Sequence, residues 1–162
     1  MKTFSDKVLW SIVGLLAAAL TITAAVKLSP LLNPPQEINL PPDTACDLHQ
    51  GPCAISLPGG GRLEFAIEPR PIQVLKPLNL EVRTTGFKAD SMEVDFAGVD
   101  MKMAFNRPRL KPGKDGLFAG QTSLPVCVRD KMSWQATVLV ESDGKQIAVP
   151  FRFETKRVTE TP

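Results

Sequence analysis

The sequence predicts an all-β domain, an antiparallel sandwich, that follows a single N-terminal transmembrane helix. Three observations support this fold class: one uncharged apolar block near the N-terminus, alternating apolar and polar residues over most of the remaining chain, and turn-forming residues between the alternating segments. A length of 162 residues allows one domain at roughly 100 to 200 residues per domain. The length therefore excludes a multidomain enzyme.

The apolar block runs from Val8 to Val26 without a charged residue. As a helix it spans roughly 28 Å, close to the thickness of a bilayer's hydrocarbon core. Lys2 and Lys7 precede it, so the positive-inside rule places residues 1–7 in the cytoplasm and the rest on the periplasmic side of the inner membrane. A cleaved signal peptide ending near residues 23–25 is the alternative, which the length of the block disfavours.

Residues 27–45 contain five prolines and predict a semi-rigid, polyproline-like linker between the anchor and the domain. The predicted domain covers residues 46–156, and residues 157–162 form a polar tail. The linker is therefore expected to hold the domain away from the membrane.

Apolar residues alternate with polar ones in six segments of the domain, which is typical of strands with one buried face. Glycine-rich and Asp-Gly turns separate several of them. With a further segment from Leu117 to Leu124, the pattern predicts seven or eight short strands and an immunoglobulin-like sandwich. The six segments are residues 62–68, 78–83, 92–96, 101–106, 134–141 and 147–154.

Two of the three cysteines, Cys46 and Cys53, lie seven residues apart at the start of the domain. In an oxidising compartment they are expected to form a disulfide, worth about 2 to 3 kcal/mol by loop entropy. The alternative is a metal cluster of these two residues with His49. Three cysteines cannot all pair within one chain, so one thiol, with Cys127 among the candidates, stays free or bonds elsewhere.

Soft donor side chains recur in the sequence, and thioether, thiolate and imidazole groups together select Cu(I). Met101 and Met103 would emerge from one face of a predicted strand, where they could converge with the others. The alternative is that the methionines fill the core and that His49 is a surface loop residue. The predicted copper ligands are Met101, Met103, Cys127, Met132 and His49.

The charge balance excludes nucleic acid as a partner, because a net charge of +2 leaves too few free cations to neutralise phosphates. Catalysis is not expected, since a Cys127 and His49 dyad lacks an orienting third group. Cys46 and Cys53 are too far apart for a redox pair of the C-x-x-C type. A basic run predicts either a solvated strand edge or a docking stripe for anionic head groups or an acidic partner. It consists of Lys102, Arg107, Arg109, Lys111 and Lys114.

A resemblance to a known family covers residues 94–153. A methionine-bearing segment at residues 98–103, a glycine-started strand at residues 115–120 and Leu124-Pro125 leading to Trp134 resemble the YtkA-like and FixH-like group of exported immunoglobulin-like domains. The resemblance implies a role in haem-copper oxidase assembly or metal handling. The chain departs from the family pattern at Cys127 and the four residues after it, where the family has a short methionine-glycine turn.

The sequence thus predicts a single-pass, membrane-anchored periplasmic protein that is not an enzyme. Two roles stay open. The first is copper handling or respiratory oxidase assembly with bound Cu(I). The second is that of a non-catalytic accessory subunit or interaction module of a membrane complex, without cofactor, whose sulfur residues are structural. The expected partners are the membrane and a membrane protein complex or metalloprotein.

Overall fold

A computed structural model describes residues 2–32, 36–42, 45–101, 104–125 and 130–156. The chain separates into two compact units, Met1–Pro35 and Gln36–Pro162. The first is helical and the second consists of β-sheets.

The helical unit contains α1, which covers Lys2–Leu32 and so extends beyond both ends of the apolar block. Within it, Val8–Val26 is long and apolar enough to cross a membrane by length and composition, with a mean hydropathy of 2.1. The hydroxyls of Thr21 and Thr23 donate to helix carbonyls at 2.9 Å, which satisfies these polar groups without water. The same composition and position also fit a signal sequence.

Within the described ranges of the second unit, nine strands follow. Their bounds are β1 Gln36–Asn39, β2 Cys53–Ser56, β3 Arg62–Glu68, β4 Leu78–Thr85, β5 Ser91–Gly98, β6 Lys111–Pro112, β7 Leu117–Thr122, β8 Lys131–Ser142 and β9 Lys145–Lys156. They form two sheets. The first sheet has the strand order β1-β9-β8-β5, and the second has the order β2-β3-β4-β7-β6.

The alternation in the sequence becomes alternation of burial in the strands. In β4, Leu78, Leu80 and Val82 are buried while the intervening Asn79 and Glu81 are exposed. One hydrophobic core contains buried side chains from both sheets. Phe65 of the second sheet lies 5.3 Å from Phe151 of the first, measured between ring centroids, so the two sheets share this core.

The predicted linker over residues 27–45 differs from the structure. Helix α1 continues to Leu32, and β1 pairs in parallel with β9 as part of the first sheet. Ile38 lies opposite Ile147, and Leu40 packs against the core. Ile38 and Leu40 alone make too short an alternation, among five prolines, to predict a strand from the sequence. Their contacts nevertheless accompany a short strand at the edge of the sheet.

The predicted methionine-bearing strand over residues 101–106 is wrong in its described part. Strand β5 ends at Gly98, Met101 lies in a bend, and residues 104–106 are not in a strand; Met103 lies outside the described residues. Two prolines at positions 108 and 112 remove backbone donors from the chain that follows, which prevents a long regular strand there.

Residues 106–112, here the crossing segment, connect the two sheets instead. The carbonyls of Asn106 and Pro108 accept from the amides of Phe96 and Val94 of β5, at 2.9 and 3.1 Å, and the amide of Leu110 donates to Met92 at 2.9 Å. The segment then continues as β6, which pairs with β7 of the second sheet. Backbone hydrogen bonds thus cover the outer edge of β5.

Candidate functional site

The disulfide loop, residues 46–53, precedes the first strand of the second sheet. Cys46 and Cys53 form a disulfide bond, with an S–S distance of 2.03 Å. Of the two alternatives predicted for this pair, a disulfide and a metal cluster with His49, the structure contains the disulfide. Inside the loop the chain turns, because the amides of Gln50 and Gly51 both donate to the Asp47 carbonyl. Leu48 is 1% exposed and belongs to the core, so the loop is held from inside as well as by its sulfurs.

The Asp47 side chain organises the loop. One carboxylate oxygen accepts from the backbone amide of His49 at 2.9 Å, and the other accepts from the side chain of Gln50 at 3.2 Å. The bond from the His49 amide, the largest cause, holds the pKa of Asp47 below its ordinary value, and the Gln50 bond adds to this. The ionised form of Asp47 is therefore the form that the turn prefers.

His49 bonds to backbone groups through both ring nitrogens. Nε2 lies 2.7 Å from the carbonyl oxygen of Glu154 in β9, and Nδ1 lies 3.3 Å from the amide nitrogen of Ile72. A carbonyl only accepts and an amide only donates, so Nε2 carries the proton and Nδ1 is the acceptor. The expected copper role of His49 would require breaking one of these bonds, since a metal needs a ring lone pair.

An open cleft of about 440 Å³ lies beside this histidine. Asp47 and His49 line one side, residues 71–73 another, and Glu154 and Lys156 of β9 a third. The Lys131 ammonium donates to Glu154 and is the largest cause that lowers the pKa of that carboxyl. Both carboxylates that border the cleft, Asp47 and Glu154, therefore already have hydrogen-bond partners.

The predicted sulfur ligands are divided between the core and the surface. Met132 of β8 is 5% exposed and lies in the hydrophobic core, while Met101 is half-buried beside a second open cleft of about 630 Å³. The amide of Val99 donates to the carbonyl of Ser133 at 3.0 Å, so the chain after β5 runs next to the start of β8. Met101 and Met132 therefore lie at the same end of the first sheet.

That end of the sheet is also the end that His49 contacts, because Glu154 pairs with Ser133 in the register of β8 and β9. Cys127 and Met103 lie outside the described residues. Among the residues that are described, no group of three or more His, Cys, Asp or Glu side chains could hold a metal ion. The structure thus brings three of the five predicted ligands to one end of a sheet, without showing them around a common centre.

The basic run is partly neutralised. Arg107 pairs with Asp95 at 3.3 Å, and Arg109 approaches Glu93 at 4.0 Å. Both acids belong to β5, whose outer edge the crossing segment covers. The guanidinium of Arg107 also lies 5.1 Å from the ring centre of Phe105, which is 79% exposed. These pairs favour a solvated strand edge over a docking stripe; Lys102 lies outside the described residues.

The outward positions of the β3–β4 pair and of the middle of the β8–β9 pair differ in charge. The second sheet presents charged side chains along its centre, namely Arg62, Glu64, Glu68, Glu81 and Arg83. The first sheet presents an uncharged area on β8 and β9, called the outer patch here. It comprises Gln135, Thr137, Leu139, Gln146, Ala148 and Pro150, half-buried or buried and adjacent by strand register.

The groups that fix His49 and the outer patch are not predicted by the motifs of the sequence. Glu154 and Ile72 act through their backbone atoms, which no side-chain pattern reports. The sequence does contain a signal for the outer patch. The outward positions of residues 62–68 and 79–83 include charged side chains, whereas those of residues 135–139 and 146–150 contain no Asp, Glu, Lys or Arg. This difference in charge between outward strand positions indicates the patch.

Comparisons with known proteins give no family for this chain. No protein-family model matches it, and no curated protein matches it. A crystal structure of an engineered protein matches 65% of the chain at 14% identity with a TM-score of 0.43, and the match covers 20% of that protein. The resemblance to the YtkA-like and FixH-like group stays a prediction.

Proposed function

We propose that the chain is a membrane-anchored, exported accessory domain whose outer patch docks onto a protein subunit in the same membrane. The observation that carries this proposal is the difference in charge between the outward positions of the β3–β4 pair and those in the middle of the β8–β9 pair. Interface centres are depleted of charged residues and surrounded by a polar rim. The outer patch fits that description, with Glu93 and Asp95 on one flank and Glu141, Lys145 and Arg152 at its ends.

The proposal includes the compartment. A helix able to cross the membrane precedes the domain, and disulfides form and persist outside the reducing cytosol. With the two lysines before the span on the cytoplasmic side, the domain lies in the periplasm. The partner is then a protein that presents an uncharged surface on that side of the inner membrane.

The same proposal assigns the two sheets to an immunoglobulin-like sandwich. Its support is the strand order, in which β1 pairs in parallel with the last strand, β9, while neighbouring strands elsewhere are antiparallel. The crossing segment passes from one sheet to the other after β5, which fits a Greek-key connection.

Site-specific photo-cross-linking tests the docking surface. A photoreactive side chain replaces Thr137, at the centre of the outer patch, in the full-length chain in its native membrane. The matched control replaces Glu81, at the centre of the outward face of the second sheet. We expect one discrete adduct with a membrane protein from position 137 only, and its loss when Leu139→Asp introduces a charge into the patch.

Four results would contradict this proposal. They are no adduct from position 137, the same adducts from both positions, an adduct with the mass of two copies of the chain, which would make the patch a self-association surface, and an adduct that Leu139→Asp leaves unchanged. Folding of the Leu139→Asp variant is checked by amide exchange.

Copper binding is the second candidate, and the placement of Met101 and Met132 at one end of the first sheet favours it. Cu(I) is titrated into the full-length chain in detergent against a competing chelator. The variant carries Cys127→Ser, Met101→Leu and Met103→Leu together. A weaker affinity in the variant supports a copper site, whereas equal binding removes this candidate and leaves the docking proposal untouched.

A further inference from the structure

We propose that the partner of the outer patch carries positive charge at one end of its contact surface and negative charge at the other, so that it lies on β8 and β9 in one direction only. This inference rests on the docking of the outer patch proposed as the function, and it specifies the chemistry of the partner. Its basis is the charge that borders the two ends of the patch, at the outward positions of β1, β8 and β9.

The first end of the patch is acidic. Gln146 lies there, and its neighbours in the strand register are Glu37 of β1 and Glu141 of β8. Both glutamates are exposed and alternate with residues that are half-buried or buried, so both face outward. The Ser91 hydroxyl donates to the Glu141 carboxylate at 2.6 Å, which holds one of these charges in place. Lys145 alternates with Gln146 and so belongs to the other face of β9.

The second end of the patch is basic. Beyond Gln135, the described outward positions of β8 and β9 include three cations and one carboxylate, all exposed: Lys131, Arg152, Glu154 and Lys156. The Lys131 ammonium pairs with Glu154. This pair leaves the charges of Arg152 and Lys156 in excess.

The long side of the patch along β5 is close to neutral. Its two acids, Glu93 and Asp95, approach Arg109 and Arg107 of the crossing segment at 4.0 and 3.3 Å. Net charge along the described border of the patch is therefore concentrated at its two ends, with opposite signs.

The two ends are far enough apart to act separately on a partner. Gln146 and Arg152 differ by six positions in β9, which corresponds to about 20 Å along the strand. Charges are screened over about 8 Å at physiological ionic strength, so each end attracts or repels the part of the partner nearest to it. A partner with Lys or Arg near Glu37 and Asp or Glu near Arg152 is attracted at both ends, whereas the reversed orientation brings like charges together.

Reversal of the acidic end tests this direction. The readout is the adduct from the photoreactive side chain at position 137, in the full-length chain in its native membrane. The variant carries Glu37→Lys and Glu141→Lys. The matched control carries Glu64→Lys and Glu81→Lys, which change the net charge equally at outward positions of the second sheet. At an ionic strength of about 0.05 M, we expect the adduct yield to fall about tenfold in the variant and to stay unchanged in the control.

Two further measurements complete the test. Arg152→Glu should lower the yield in the same way, because it reverses the other end. At an ionic strength of about 1 M, where screening acts over about 3 Å, all variants should give the yield of the unmodified chain. A variant that fails to fold would instead remain low at both ionic strengths.

The partner segments at the two ends can also be compared without reversing a charge. Photoreactive side chains replace Gln146 and Gln135 in separate experiments, and the attached partner peptides are sequenced by mass spectrometry. The peptide from position 146 should have an excess of Lys and Arg, and the peptide from position 135 an excess of Asp and Glu.

Four results would overturn the direction while the adduct from position 137 still supports docking. They are an unchanged yield after both reversals, an equal loss in the control, a loss that persists at high ionic strength, and peptides with the opposite charges at the two ends. The absence of any adduct from position 137 of the unmodified chain, or an adduct of two copies, would overturn the docking and the direction together.

Discussion

Two of the links between the two sheets differ in chemistry. The crossing segment joins β5 to β7 through backbone hydrogen bonds, none of which titrates. The disulfide loop contacts both β9 and Ile72 through the His49 ring and is itself closed by a sulfur bridge. The first link therefore depends on bonds that neither protons nor reductants change, whereas the second contains a disulfide that a reductant cleaves and a carboxylate, Asp47, that acid can protonate.

The largest expected effect is at the glycine turn between β6 and β7. Gly116 has φ of +72°, and a Cβ added there would lie 2.5 Å from the Thr84 carbonyl oxygen. The Gly116 carbonyl also accepts from the Thr84 amide at 2.9 Å. Gly116→Ala should therefore push the turn away from β4 and cost about 3 kcal/mol of the free energy of unfolding, measured by urea titration in detergent.

Gly144 is the matched control for this change. It has φ of +69° in the turn between β8 and β9, and an added Cβ there meets nothing within 4 Å. Gly144→Ala should therefore lower the free energy of unfolding only through backbone strain at positive φ, by about 1 to 2 kcal/mol. Equal losses from the two variants would show that the close approach to β4 contributes nothing.

The disulfide comes next in size. The double variant Cys46→Ser and Cys53→Ser should lower the free energy of unfolding by about 2 to 3 kcal/mol, because the bridge restricts a short loop in the unfolded chain. Mild reduction of the unmodified protein should give the same loss, whereas the Gly116→Ala effect should not depend on reductant. A reductant-independent stability would mean that the loop is held by Leu48 and His49 without its sulfurs.

The sequence predicts the regular parts of the molecule well because their causes are local. A run of nineteen uncharged, mostly apolar residues predicts a possible membrane span, and alternation at Leu78, Leu80 and Val82 predicts a strand with one buried face. The wrong strand at residues 101–106 shows the limit. Alternation indicates which face of a strand would be buried, but it did not show that the chain bends at Met101 and pairs with β5 only from Asn106 onward.

The candidate sites were harder to predict because the groups that contact their residues are distant in sequence and belong to the backbone. His49 takes its role from the carbonyl of Glu154 and the amide of Ile72, and every residue offers such groups. Met132 is buried and Met101 half-buried, although their side chains have the same chemistry. The composition shows which sulfur and imidazole side chains are available to a site. The register of β8 and β9 determines which of them lie at the same end of the sheet.

The smallest expected effect is an acid step within the disulfide loop. Asp47 has a folded pKa below its unfolded value, so its contribution to stability is present above the unfolded pKa and is lost as the pH falls through the folded one. The His49 amide, which donates to Asp47, should therefore shift in the NMR spectrum only at a pH below the ordinary range of an aspartate.

Asp47→Asn tests this step, because the amide oxygen still accepts from His49 but does not titrate over this range. The variant should lose the acid step at the His49 amide. Glu154 has a pKa lowered by Lys131 and titrates in the same acid range, so Glu154→Gln identifies any part of the step that belongs to β9. An acid step that survives in Asp47→Asn and disappears in Glu154→Gln would assign the loop's acid response to β9. The proton-sensitive connection would then be the strand that His49 binds, and the Asp47 turn would be as insensitive to protons as the crossing segment.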